Sequence, residues 1–289
     1  MLSQILVRYC LILPAFKAEY FITSTFPNYL SDLDFFLLVF STVVIAAGGY
    51  VINDCFDVEI DAVNKPGRNI IGKELSVKKA KSFFYILSSL GVVAGMYVAI
   101  KINKPVVGLL PLFAAASLWM YASFYKKRFM IGNVIIAILC SLTVLLPGLY
   151  EPEFYRNFTF LIWFAVPAFL MTLLRELIKD MEDLEGDQLN DSRTVPIVLG
   201  IPKTKFILVT LIVFTGGYLS LVLHNNFLTN KVISIWNLLG IFLIPLLALA
   251  YLVASATGKK DFYYASMFAK ILMAGGVCSI YLFWHYFLK

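Results

Sequence analysis

The sequence is poor in charge. Asp, Glu, Lys and Arg together make up 15% of its 289 residues, where a soluble globular chain carries roughly a quarter. Histidine is scarcer still. With only His224 and His285 present, imidazole metal ligation is not expected, and acid-base work falls to carboxylates, lysines or tyrosines. Four cysteines, Cys10, Cys55, Cys140 and Cys278, match neither a disulfide framework nor a zinc site in their spacing. No small-residue cleavage site stands out near the N-terminus, where Pro14, Lys17 and Glu19 interrupt the first apolar run, so that run reads as a retained helix and not a signal peptide. The net charge of +6 comes without a soluble basic face. Nucleic acid is therefore excluded as a partner, and the excess reads as membrane orientation.

Apolar side chains are what the sequence has in quantity: 60% of residues are hydrophobic and 16% aromatic. Runs near the ~20 residues that cross a bilayer as a helix fall near 5–26, 35–53, 82–100, 105–124, 131–149, 158–178, 205–223, 233–255 and 265–287. The expected fold is an all-α polytopic membrane protein, nine transmembrane helices bundled into a single domain over residues 1–289. Alternate connections differ in Lys and Arg. Those holding Lys65, Arg68, Lys78, Lys126, Lys179, Arg193 and Lys259 carry fifteen in all, and the opposite set, Lys101, Lys104, Arg156 and Lys231, carries four. The positive-inside rule then places the N-terminus and the charged loops on the cytoplasmic side of a cytoplasmic membrane.

Eleven of the eighteen acidic residues fall in two windows, 53–61 and 176–191. Each window spaces three aspartates at i, i+3 and i+7: Asp54, Asp57 and Asp61 in the first, Asp180, Asp183 and Asp187 in the second. On a helix such a triplet lies within about 60°, so each window is expected to present three carboxylates on one face at the inner end of a span. The two triplets are offset by 126 residues, as are Asn64 and Asn190. The offset reads as an internal duplication, with two Asp-rich sites at the cytoplasmic rim. Six carboxylates at one rim repel each other unless cations are bound, and hard oxygen donors suit Mg²⁺, which keeps several waters and binds through one or two carboxylates plus substrate phosphates. Arg175 closes an apolar helix one turn before the second triplet. With Lys65, Arg68, Lys126, Lys179 and Arg193 nearby in sequence, it suits a diphosphate whose remaining charge needs neutralising.

The run Asn53-Asp54-x-x-Asp57-x-x-x-Asp61, followed by Asn64-Lys65-Pro66-x-Arg68, resembles the first aspartate-rich motif of the UbiA-type intramembrane prenyltransferases, and Asp180-x-x-Asp183-x-x-x-Asp187 resembles the second. With the nine spans, the likeness covers nearly the whole chain. It implies transfer of an isoprenyl group from an allylic prenyl diphosphate to a lipophilic acceptor within the bilayer, with the six aspartates holding Mg²⁺ as two ions. It also implies that Asn53, Lys65, Arg68, Tyr121, Tyr125, Lys126, Arg175, Lys179 and Arg193 contact substrate. The stretch from Leu174 to Asp187, and Tyr121 to Lys127 with Gly132-Asn133, are most similar to the branch that prenylates a glycerol-phosphate ether lipid. Other branches take hydroxybenzoate, dihydroxynaphthoate or homogentisate. Arg68-Asn69 stands where the family commonly has Arg-Pro, and the first helix lacks the usual Arg-Pro-x-Asn entry, which points to a specialised acceptor pocket near Lys17 or Glu19. A transporter built from repeats is the rival of another class. Against it, the acids cluster on one side, and no charged path continues to the far rim.

Overall fold

A computed structural model describes residues 1–17, 29–59, 70–152, 158–227 and 242–285. Its elements are helical, with no β-strand among the described residues. They run α1 (Leu2–Leu6), a π-helical turn (Val7–Ile12), α2 (Asp32–Phe56), α3 (Val77–Lys101), α4 (Leu109–Ser123), a 3₁₀ turn (Tyr125–Lys127), α5 (Ile131–Tyr150), α6 (Phe158–Glu182), α7 (Leu184–Leu189), α8 (Val195–Leu199), α9 (Ile201–Phe227), α10 (Ile244–Ser255) and α11 (Lys259–Phe283). Six of these, α2, α3, α5, α6, α9 and α11, are long and apolar enough to cross a membrane. The chain is thus a multi-pass membrane protein.

Three predicted spans differ. At 15 residues, α4 is about 22 Å long and starts later than the predicted 105, because Val107, Gly108 and Leu109 are tied back by turns to Lys104, Pro105 and Val106. Of the predicted 233–255, residues 242–255 are described and include the 12-residue α10; 233–241 lies outside the described residues. The first span, expected over 5–26, is described to residue 17. Gln4 Nε2 donates to Thr42 Oγ1 at 3.0 Å, about 15 Å along α2 from Asp32, and Arg8 lies beside Asp32 itself. The segment therefore does not start from the end of α2 that carries Asp54.

Two compact units divide the chain, one of residues 1–126, 138–165 and 277–289, the other of 127–137 and 166–276. In the first unit α2 packs along α3 and α4. The approach of α2 and α3 is close because the facing positions are small: a Cβ on Gly91 would lie 2.5 Å from Ile45 Cγ1 and 2.9 Å from the Ser41 carbonyl oxygen, and Ser41 Oγ donates to the Gly91 carbonyl at 2.6 Å. Small residues and an interhelical hydrogen bond are the usual adhesive where lipid removes the hydrophobic incentive for helices to associate. In the second unit, Leu174, Leu177 and Ile178 of α6 pack with Leu208 and Ile212 of α9, Leu249 and Val253 of α10, and Ala265 and Ala269 of α11.

At the end of α2 remote from Asp54 lies a buried ionic knot. Arg8 Nη1 donates to Glu151 Oε1 at 3.1 Å, and Arg8 Nη2 donates to the Leu30 carbonyl at 2.5 Å and to Asp32 Oδ1 at 3.3 Å. The Leu30 N–H donates to Glu151 Oε2 at 2.7 Å, and the Arg8 guanidinium stands 4.6 Å from the centre of the Phe35 ring. Burial pushes the Glu151 carboxyl above its ordinary range, while the Leu30 N–H, Arg8 and Lys104 pull it back. Arg8→Ala would leave Glu151 buried without its counter-charge. It should lower stability by about 3–5 kcal/mol, read as a drop in the thermal unfolding midpoint in detergent; an unchanged midpoint would contradict the pairing.

Candidate active site

In the first unit α2 stops at Phe56, and Asp57 follows as its C-cap with φ −93° and ψ 3°. The Asp57 N–H still reaches back to the Asn53 carbonyl at 3.0 Å. The carboxylate is buried and doubly held, since Asn53 Nδ2 donates to Asp57 Oδ2 at 2.6 Å and the Lys126 ammonium bonds the same oxygen. Lys126 can reach it because α4 ends at Ser123 and the chain tightens into the 3₁₀ turn Tyr125–Lys127. Asn53 Oδ1 is a buried atom with no partner. Asp54 is exposed at the same helix end, and Lys81 Nζ sits 4.9 Å from the centre of the Phe56 ring.

The second unit breaks its helix at the corresponding residue. α6 stops at Glu182, and Asp183 has φ −92° and ψ 9° before α7 begins; its N–H donates to the Lys179 carbonyl at 2.9 Å. Asp57 and Asp183 thus share both a backbone conformation and an i−4 hydrogen bond. Neither triplet lies along one uninterrupted helix, as the spacing had suggested, because each ends its helix at the middle aspartate. Asp180 Oδ2 accepts from Asn133 Nδ2 at 2.8 Å, and Asn133 is itself buried near the start of α5. Asp187 is buried within α7, while the Arg193 side chain is exposed and its N–H donates to the Lys127 carbonyl at 2.8 Å.

Of the residues expected at the site, the structure joins Asn53, Asp57 and Lys126 directly. Arg175 of α6 pairs with Glu176. Lys179 is half-buried at the last turn of that helix, and Tyr125 is half-buried in the 3₁₀ turn. Tyr121 packs beside the cluster of Ile52, Cys55, Ala80 and Phe84. Asp61, Lys65 and Arg68 lie outside the described residues, as does Glu19. Among the described residues, no three His, Cys, Asp or Glu side chains form a group that would hold a metal unaided. Three polar residues were not anticipated as site residues from the sequence: Asn133, Glu176 and Thr172. The signal for the last two was helical spacing, four and eight residues before Asp180.

The chain belongs to the UbiA prenyltransferase family, which it matches over residues 11–283. It is a membrane prenyltransferase. Among curated relatives, the digeranylgeranylglyceryl phosphate synthase of Methanosphaera stadtmanae is 34% identical over 234 residues, 80% of this chain and 81% of that protein. The synthase of the same name from Sulfurisphaera tokodaii is 38% identical over 177 residues, 59% of this chain, and the match spans 60% of that relative's length. A solved structure concerned with digeranylgeranylglyceryl phosphate synthase in membranes superposes with a TM-score of 0.62 at 27% identity, covering 97% of this chain and 96% of the other. A UbiA homologue from Archaeoglobus fulgidus, solved with DMAPP and Mg²⁺, shares the fold at a TM-score of 0.57 and 16% identity, covering 97% and 98% of the two chains.

The Asn133 amide orients a carboxylate of the second acidic stretch, and losing such a supporting partner typically costs 10–100-fold in metal affinity or activity. Asn133→Ala should therefore lower turnover by about 10–100-fold with an unfolding midpoint close to wild type. Turnover within twofold of wild type would show that the amide is dispensable.

Proposed function

We propose that the protein transfers an isoprenyl group from an allylic prenyl diphosphate to the hydroxyl of a glycerol-phosphate ether lipid, at the cytoplasmic face of a cytoplasmic membrane that it crosses nine times. The observation that carries the reading is the recurrence, 126 residues apart, of an aspartate triplet whose middle member ends its helix in the same backbone conformation. Membership of the UbiA family supports the reaction class, and relatives named digeranylgeranylglyceryl phosphate synthase support the acceptor. The family match over residues 11–283 supports a single domain.

The donor set fits Mg²⁺. It consists of hard oxygens, including the orphaned Asn53 Oδ1 beside Asp57, and an ion that retains waters and takes substrate phosphates needs only one or two carboxylates. Asp54, Asp57 and Asp61 would hold one ion, and Asp180, Asp183 and Asp187 a second. Bound there, Mg²⁺ supplies Lewis acidity that stabilises the departing diphosphate.

Residues of the chain do the rest. Lys126, already anchored on Asp57, offers its ammonium to a phosphate oxygen, and Arg68, Lys65, Lys179 and Arg193 supply further positive charge as the allylic C–O bond breaks. Tyr121 and Tyr125 stand near the same rim and present π faces to the allylic cation, each worth roughly 0.5–2 kcal/mol in a good contact. The apolar interior shelters the isoprenoid tail and keeps water from intercepting the cation.

Protein in nanodiscs, given prenyl diphosphate and acceptor, should release diphosphate with Mg²⁺ and stop in EDTA; release that continues unchanged in EDTA would remove the metal from the reaction. Asp57→Ala and Asp183→Ala should each reduce turnover by at least about 100-fold, as loss of charge stabilisation at a reacting centre does. A side-by-side panel of a monoprenyl glycerol phosphate, 4-hydroxybenzoate and dihydroxynaphthoate should show transfer to the first. Transfer only to the aromatic acids would place the protein in quinone biosynthesis instead.

A further inference from the structure

We infer that Glu176 takes the proton of the acceptor hydroxyl once the acceptor's phosphate has drawn Arg175 away from it, with Thr172 holding the acceptor one turn deeper in the membrane. The inference rests on the transferase reading above and assigns a base that the acidic triplets do not supply.

The residues share one stripe of α6. Thr172, Glu176 and Asp180 stand four apart, within about 80° around the helix and about 12 Å along it. Arg175, Lys179 and Asp183 flank them. Met171, Leu174, Ile178 and Met181 fall roughly on the opposite side and pack into the apolar core of their unit, together with Leu173 and Leu177, which border the stripe. The polar stripe is nonetheless buried: Glu176 is 8% exposed and Thr172 is 2% exposed. Helical threonines ordinarily satisfy their hydroxyl on the carbonyl four residues back, and Thr204, Thr210 and Thr215 all do so here. Thr172 Oγ1 has no partner at all. A buried hydroxyl that forgoes its local carbonyl, one turn below a buried carboxylate, points to a polar group of a ligand reaching two turns beneath the acidic rim.

Ether formation requires such a base. The C1–O bond of the prenyl diphosphate breaks, its electron pair leaving with the diphosphate. The acceptor oxygen forms a new bond to C1, and its proton must go elsewhere. Glu176 binds Arg175 through Oε1, so that carboxylate oxygen is occupied while the acceptor is absent. A phosphate carried close to the attacking hydroxyl competes for the guanidinium in bidentate fashion and frees the carboxylate where the proton is released. A simple alcohol acceptor has no anionic group to do this, so the pair also discriminates the phosphorylated lipid from the same lipid without its phosphate.

The test uses full-length protein in nanodiscs with Mg²⁺, a prenyl diphosphate, and either a monoprenyl glycerol phosphate or the same lipid without its phosphate. Glu176→Gln should lose at least about 100-fold in transfer, the scale of a general base, while affinity for a non-reacting thiolodiphosphate analogue stays within about threefold of wild type. Thr172→Val should raise the acceptor KM by about 10-fold, the scale of one lost hydrogen bond, and leave kcat nearly unchanged. Wild type should strongly prefer the phosphorylated acceptor, and Arg175→Ala should narrow that preference. Glu176→Gln that transfers within about fivefold of wild type, or that loses analogue binding along with transfer, overturns the proposal. If Glu176→Gln does not fold, an unchanged acceptor KM in Thr172→Val overturns it. Transfer by wild type to no acceptor would instead sink the transferase reading itself.

Discussion

A charge in hydrocarbon must be paired or brought to a rim, because the bilayer interior offers no water to solvate it, and the polar architecture of this protein follows from that constraint. Arg8 and Glu151 are both buried, and they bond each other and the Leu30 backbone, although Arg8 Nε is left without a partner. At the same end of α2, Lys101 Nζ donates to both carboxylate oxygens of Asp34 at 2.9 Å. At the other end, Asp57 takes an amide and an ammonium on a single oxygen. The first two arrangements consume their charges. The third leaves the buried Asn53 amide oxygen without a partner beside the carboxylate.

The same economy shapes the backbone. Each acidic stretch interrupts its helix at the central aspartate, in the sparsely populated region near φ −90° and ψ 0° where active-site residues are often found. The i−4 backbone hydrogen bond at each break holds the middle aspartate to the last turn of its helix. The supports differ between the units. An asparagine from the same helix turn and a lysine from the turn after α4 serve Asp57, and an asparagine from α5 serves Asp180.

Much of this was legible in the chain. Apolar runs located α2, α3, α5 and α6 to within a few residues, because a helix in lipid must be apolar along most of its length. The scarcity of charge made its clustering conspicuous, so both aspartate triplets could be picked out from spacing alone. How the first apolar run accommodates Arg8 was not legible, because its partner Glu151 lies 143 residues away. Glu176 was counted in the second acidic window but given no role because it falls outside the i, i+3, i+7 triplet, and Thr172 was passed over because a lone hydroxyl inside an apolar span carries no charge signal.

The sequence by itself determined the class of environment, the sites of most spans and which carboxylates concentrate, since each depends on local composition and on a periodicity of a few residues. Only the tertiary structure decided which charges are spent on one another and which remain available. That distinction depends on whether a side chain distant in sequence, such as Lys126 for Asp57 or Asn133 for Asp180, arrives within hydrogen-bond distance. Periodicity along one helix carries no information about what a second helix will bring.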